Sequence, residues 1–342
     1  MAQMTEKENL MRVLTGQEPA WVPRFGQLPF YTDTTYPVAS TQIMPEFMMG
    51  KQLPDGGRVD IFGVEYEPTD STGGAALPKP GKFILDDITK WRDVIKLPDF
   101  SDVDWEIMAK PQLDMRSPDL PFGGGTSMGF FQPLMGIMGF SDGLSAMFEE
   151  PDEVKALYEY ISDWSIDLAK KYIYYYKPDY GFLADDIAHE RNPFLSLEMF
   201  KDLVAPYWRR YYDVFTEAGL PCGHHNCGHF ELYLDELMDM GVTFWDPVQS
   251  SNDLPGIKAK HGNNIALCTH LETRFYNQST TEEEVRATFR AFVDELAPGG
   301  GLALFMMATN DDMPNPCALP GDAERAKWIA DEFEKIRYSY YN

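Results

Sequence analysis

The sequence predicts an α/β protein folded as a (β/α)8 (TIM) barrel, a single domain over residues 1–342 with a long excursion near its N-terminus. Three observations predict it. The second half alternates strand-like and helix-like segments with little chain between them, which implies a parallel sheet with right-handed crossovers. No Gly-x-Gly-x-x-Gly follows an early strand, and Gly123-Gly124-Gly125 is a bare triplet without that spacing, so a dinucleotide-binding sheet loses ground. At least seven strand–helix units can be counted, which favours closure into a barrel.

The elements follow in order. Trp21 to Phe25 and Pro121 to Ser127 read as early strands. Asp152 to Tyr176 reads as a helix, with Val154, Leu157, Ile161, Trp164 and Leu168 at three-to-four spacing. Tyr180 to Ala184 is a short apolar strand ending in Asp185 and Asp186. Ser196 can cap a helix to about Ala218, bent or broken at Pro206. Leu220 to His224 is the next strand, and Phe230 to Met240 a short helix stopped by Gly241. Val242 to Trp245, Ile265 to Thr269 and Gly301 to Met307 are further strands. Between and after them lie helices over roughly Leu254 to His261, from Thr281 onward, and over Asp322 to Tyr338. Thr281 with Glu284 forms a capping box before Val285, Phe289, Phe292 and Leu296.

Residues 27 to about 118 break the rhythm. They are rich in Pro, Gly, Asp and aromatics, among them Phe30, Tyr31, Tyr36, Phe47, Phe62, Tyr66 and Phe83. We read them as an excursion over one mouth of the barrel, with short strands and helices of its own. That many aromatics in one segment favours a flat or apolar ligand.

Composition narrows the function classes. Lys+Arg 29 against Asp+Glu 54 leaves a formal charge of 29 − 54 = −25. Such a surface repels phosphates, so neither nucleic acid nor an acidic membrane is an expected partner. The opening MAQMTEKENLMRVLTG lacks the basic and apolar regions of a signal peptide. Gly129 to Phe140 is too short and interrupted to span a bilayer. Four cysteines do not make a disulfide framework in a chain of this length. A soluble, cytoplasmic enzyme is the expectation.

The most informative stretch is Pro221-Cys222-Gly223-His224-His225-Asn226-Cys227-Gly228-His229, where a strand gives way to a helix. In extended chain, residues two apart project to the same side, so His225 and Cys227 can face one ion. Zinc takes imidazole and thiolate together in tetrahedral geometry. Cys317 follows the last strand, at the same carboxyl-end face where barrel enzymes gather catalytic residues. Three protein ligands with an open fourth position is the pattern of a catalytic zinc. Spacing alone does not choose among His224, His225 and His229, and Cys222 and Cys268 read as buried hydrophobes. Asp185 and Asp186 read either as an acid–base pair or as helix caps and salt-bridge partners. Asp246 and Gln249, at another strand end, read as metal-approaching, substrate-bonding or turn residues.

At these residues the chain resembles the uroporphyrinogen decarboxylase-like superfamily, in its zinc-dependent corrinoid methyltransferase branch. The resemblance rests on Glu6-Lys7-Glu8-Asn9-Leu10, Val22-Pro23, Asp60-Ile61-Phe62-Gly63-Val64, Lys96-Leu97-Pro98-Asp99, Asp185-Asp186-Ile187, Asn192-Pro193-Phe194-Leu195-Ser196 and His225-Asn226-Cys227-Gly228, in that order. It implies one barrel whose zinc is held by His225, Cys227 and Cys317. Some relatives add an acidic ligand near the next strand end, where this chain has Val248 and Gln249. The decarboxylases carry an Arg-Gln-Ala-Gly-Arg-Tyr type of motif after the first strand; this chain reads Pro23-Arg24-Phe25-Gly26-Gln27-Leu28.

The resemblance implies methyl transfer of one of two kinds. In the thiol branch a zinc-bound thiolate takes the methyl of a methylcorrinoid. In the O-demethylase branch zinc polarises the oxygen of a methoxylated aromatic, and the cobalt(I) of a corrinoid takes the methyl group. The Asp246-Pro247-Val248-Gln249 stretch and the aromatic excursion favour the O-demethylase, with Gln249 orienting the ether oxygen and Asp186 and Asp246 as further catalytic candidates. The corrinoid (cobalamin) is expected on a separate partner protein. A contrasting expectation is a non-catalytic protein, with zinc as a closed staple and the barrel binding or sensing a tetrapyrrole.

Overall fold

The computed structural model describes residues 4–25, 41–43, 50–68, 76–114, 116–125, 129–269, 280–305 and 322–341. Twelve strands occur among them: β1 Arg24–Phe25, β2 Thr41–Ile43, β3 Lys51–Gln52, β4 Arg58–Val59, β5 Glu65–Pro68, β6 Ala76–Pro78, β7 Phe122–Gly124, β8 Tyr180–Ala184, β9 Cys222–His225, β10 Val242–Val248, β11 Ala266–Thr269 and β12 Leu302–Phe305. Eight of them form one parallel sheet in the order β1-β12-β11-β10-β9-β8-β7-β2. Its two end strands are consecutive barrel strands in the chain, as a sheet curled into a (β/α)8 barrel requires.

The excursion has the expected elements of its own. β3 to β6 form a separate antiparallel sheet, and Trp105–Asp114 a helix. It also supplies β2, paired with β7, a barrel strand that composition and periodicity did not reveal. Three residues are too few for a period-2 pattern to show. The described part of the excursion packs on the helices after β7: Ile84 N–H donates to Ile137 O (3.0 Å), and Trp164 Nε1 to Pro98 O (2.8 Å). Phe62 is buried there; Phe30, Tyr31, Tyr36 and Phe47 lie outside the described residues.

The helices fall where sequence chemistry puts them. Pro151–Tyr176 is continuous, and the next helical stretch divides into Leu197–Leu203 and Ala205–Glu217. The division falls just before Pro206, whose ring cannot sit in a helix interior. Ser196 caps the first half through its hydroxyl on Met199 N–H (3.1 Å). Thr281 and Glu284 form the reciprocal capping box of the helix Glu282–Leu296.

Inside the barrel, Phe25, Tyr180, Phe182, Phe244, Ala266, Cys268 and Ala303 pack together. Leu10, Val13 and Leu14 of the helix Glu6–Leu14 close this core. That helix is tied to residues preceding the strands: Lys7 N–H donates to Asp119 O (2.8 Å) and Lys7 Nζ pairs with Asp179 (2.7 Å). The amino ends of the strands are therefore plugged by apolar side chains, and polar chemistry is left to the carboxyl ends. Among the described residues, no helix is long and apolar enough to cross a membrane.

Candidate metal centre

β8, β9 and β10 lie side by side, and Ala184, His225 and Asp246 share one register row. Residues in one row project to the same side of a parallel sheet. His225 and Asp246 therefore face the barrel interior, and their neighbours His224 and Trp245 face the helices. Two positions further along, Asp186 and Cys227 leave β8 and β9 at the mouth. One ligand atom from each of Asp186, His225 and Cys227 lies within 4.8 Å of the others.

Each side chain of the group is held by named partners. His225 Nδ1 donates to Asp246 Oδ2 (3.2 Å), which turns Nε2 toward Cys227 Sγ at 3.8 Å. Asp186 Oδ1 accepts the Cys227 N–H (2.7 Å), and Oδ2 accepts from Gln132 Nε2 (3.0 Å). The loop after Cys227 turns through Gly228 at φ +85°, where a Cβ would sit 2.8 Å from the His189 carbonyl. Asn252 pins that loop, donating to Gly228 O (2.8 Å) and accepting from Phe230 N–H (2.8 Å).

Burial works against an imidazolium at His225, and the hydrogen bonds to Asp246 and Cys227 outweigh it, so its pKa stands well above the ordinary value. Burial pushes the Asp246 carboxyl up, against the pull of His225. Asp246 is fully buried, and its Oδ1 has no hydrogen-bond partner among the described residues.

The three candidate histidines separate cleanly. His224 is buried between the rings of Trp208 (4.2 Å) and Phe230 (5.1 Å), with Nδ1 on the Tyr212 hydroxyl (2.7 Å). Burial holds its pKa well below the ordinary range. His229 Nδ1 donates to Ser251 O (2.6 Å). Only His225 joins the group, because strand alternation sends His224 to the helix layer. Cys222 and Cys268 are both fully buried, and burial pushes both thiols up. Cys317 lies outside the described residues.

The pair Asp185-Asp186 divides in the same way. Asp185 is fully buried and accepts the N–H groups of Phe130 (2.8 Å), Phe131 (3.0 Å) and Gln132 (2.8 Å), and Trp208 Nε1 (3.0 Å). It caps the helix Phe131–Met138 from the neighbouring strand. Burial pushes its carboxyl up to about 6, against these four donors. Gly129 permits the approach, since a Cβ there would lie 2.0 Å from the Asp185 carboxyl carbon. Gln249 accepts the Gly228 N–H through Oε1 (2.5 Å), which leaves only its amide Nε2 to donate.

Sequence reasoning missed Gln132, Asn252 and an aromatic wall beside them. Phe131 stacks on Phe194 (5.8 Å, 11°), and Phe140 meets Phe194 edge-on (4.7 Å). Phe131 and Phe194 follow β7 and β8 respectively, on the mouth side. The apolar run Gly129 to Phe140 was the available signal.

The donor set fits a tetrahedral zinc. Zinc–nitrogen and zinc–sulfur bonds of about 2.0 and 2.3 Å at the tetrahedral angle put the two donors about 3.5 Å apart, against the 3.8 Å between His225 Nε2 and Cys227 Sγ. The borderline-soft mixture of imidazole, thiolate and carboxylate is one that zinc accepts.

The family profile described as Uroporphyrinogen decarboxylase (URO-D) matches residues 62–305, well over half of the chain. The chain belongs to the URO-D family. Among solved structures, a methyltransferase from Methanosarcina mazei superimposes on this URO-D family chain with a TM-score of 0.64, at 13% identity over 98% of this chain and 99% of that one. At that identity the likeness is one of fold. A B12-independent methionine synthase from Shewanella sp. W3-18-1, solved with selenomethionine, aligns at 11% identity over 88% of this chain and 83% of its own, with a TM-score of 0.45. A comparison with curated proteins finds no match.

Proposed function

We propose that this URO-D family member is a zinc-dependent methyltransferase that moves a methyl group from a methoxylated aromatic to the cobalt(I) of a corrinoid carried by a partner protein. The observation that carries the reading is the Asp186–His225–Cys227 donor group at the carboxyl end of the barrel, where barrel enzymes do their chemistry. His225 and Cys227 would hold the ion, with Asp186 beside them and Cys317 as the further ligand implied by the resemblance. A zinc ion there supplies Lewis acidity toward the ether oxygen.

In the reaction the methyl C–O bond breaks with its electron pair on oxygen. Cobalt(I) supplies the pair for the new Co–C bond, and the departing phenolate takes a proton. The chain's own groups suit these steps. Gln249, with Oε1 committed to Gly228, offers its amide N–H groups to an oxygen acceptor. Asp186, oriented by Gln132, offers a carboxylate to carry the proton. Phe131, Phe140 and Phe194 offer flat apolar surface beside Gln132.

Decarboxylation is the less suited chemistry. Arg24, the arginine nearest the position where decarboxylases grip substrate carboxylates, pairs with Glu334 and lies over the Phe333 ring (5.7 Å). It is thus engaged with the last helix.

The test is methyl transfer to chemically reduced cobalamin, followed by loss of the cob(I)alamin absorbance against a panel of methoxybenzenes, with and without a zinc chelator. Chelator-sensitive formation of methylcobalamin is the expected result. A flat trace with zinc-loaded enzyme, on free cobalamin and on corrinoid proteins alike, contradicts the reading. Activity only in the reverse direction, from methylcobalamin to a small thiol, assigns the thiol branch instead.

A further inference from the structure

We infer that Asp246 is the positioning residue of the metal centre, acting through His225 and not on substrate. The inference rests on the metal-site half of the function proposed above and is independent of which methyl donor is used. Asp246 and His225 are register partners on adjacent parallel strands, so the backbone itself sets their side chains together. The Nδ1–Oδ2 contact of 3.2 Å leaves Nε2 as the nitrogen facing Cys227 and Asp186. A metal-bound histidine is commonly fixed in this way, its second nitrogen donating to a carboxylate that sets the tautomer and ring orientation.

Energetics favour this role over a structural one. Asp246 is fully buried, and among the described residues His225 is its one side-chain hydrogen-bond partner and Oδ1 has none. Of the charged groups near it, His225 attracts it and Asp186, in the loop after β8, repels it. A buried carboxylate with so few partners is a net cost to the fold. Ligation of a divalent cation through Nε2 would place positive charge on the imidazole that Asp246 holds, and the carboxylate in turn fixes the ring for that cation. Asp185, with four donors, is the contrasting case of a buried carboxylate satisfied by the fold alone.

The test compares wild type, D246N and D246A in the full chain by competition for zinc with a chromophoric chelator, and by the visible spectrum after cobalt(II) loading. The account expects zinc affinity about 10–100-fold weaker in D246A, with most of the loss recovered in D246N, whose amide oxygen still accepts from Nδ1. The thiolate-to-cobalt band from Cys227 is retained, and the d–d bands shift as the imidazole loses its orientation. Metal-free D246A loses less stability in urea than its drop in zinc affinity represents. Wild-type zinc affinity in D246A overturns the inference, as does an affinity loss matched by equal destabilisation of the metal-free protein. Wild type that takes up no zinc overturns both the inference and the metal reading. A failed methyl-transfer assay on zinc-loaded protein overturns only the reaction.

Discussion

Removing the Asp185 carboxylate tests how the mouth of the barrel is built. In Asp185→Ala four donors lose their acceptor: the N–H groups of Phe130, Phe131 and Gln132, and Trp208 Nε1. Phe130, Phe131 and Trp208 are buried, so three of the four cannot turn to solvent without a rearrangement. An unsatisfied buried donor costs about 1–3 kcal/mol. Gln132 is exposed and can recover a water, and the cavity left by the side chain can admit another. A loss of about 3–5 kcal/mol follows, in the range for breaking a buried charged network. Asp185→Asn keeps one oxygen acceptor but sets an NH2 group against a donor, and about 1–3 kcal/mol is expected. Equilibrium urea denaturation, read by tryptophan fluorescence, measures both. The pH dependence gives a second reading. The folded pKa of Asp185, about 6, lies above the 3.8 of a free side chain. Its proton-linked stability is therefore full below 3.8 and lost as pH rises through 6. The gap between wild type and D185N should accordingly widen, by up to about 3 kcal/mol, as pH falls from 7 to 4. A D185A loss below about 1 kcal/mol, with a gap independent of pH, refutes the view that this carboxylate anchors the helix Phe131–Met138.

Further expectations follow from the same contacts. Gly129→Ala drives a methyl group into the Asp185 carboxyl, 2.0 Å from its carbon; about 1–3 kcal/mol of destabilisation is expected in urea. Thr281→Ala removes a capping box whose bonds join Thr281 to Glu284 and not to the donor group; it should cost about 1 kcal/mol and leave zinc affinity unchanged in the chelator competition. Cys317→Ser tests the ligand that the resemblance implies. If the late cysteine holds the ion, zinc content after dialysis falls and one sulfur leaves the metal shell; if Asp186 fills that place, neither changes.

Much of the fold was legible because its elements carry their own signals. The helix Pro151–Tyr176 shows a 3.6-residue period, Thr281 and Glu284 announce a helix start, and Pro206 marks a break. β2 was not legible, since three residues within a Pro- and Gly-rich stretch carry no period and their pairing with β7 is long-range. For the site, His-x-Cys at a strand end pointed to the stretch that carries two members of the donor group, but spacing could not choose among three histidines. The choice comes from which face of β9 each side chain takes, and that depends on the register with β8 and β10. The two aspartates of Asp185-Asp186 look alike in sequence. Their opposite faces give one to a helix N-terminus and the other to the donor group. Gln132 and Asn252 carried no signal, because their roles at the site are hydrogen bonds to Asp186, Gly228 and Phe230, residues more than twenty positions away.

The central claim is a zinc centre built on His225 and Cys227, and its most direct test is the zinc content of the purified chain together with X-ray absorption at the zinc edge. The account predicts one zinc per chain, with nitrogen or oxygen at about 2.0 Å and sulfur at about 2.3 Å, and loss of the ion in His225→Ala and Cys227→Ser. A chain that binds no zinc after reconstitution, or a metal shell without sulfur, contradicts it.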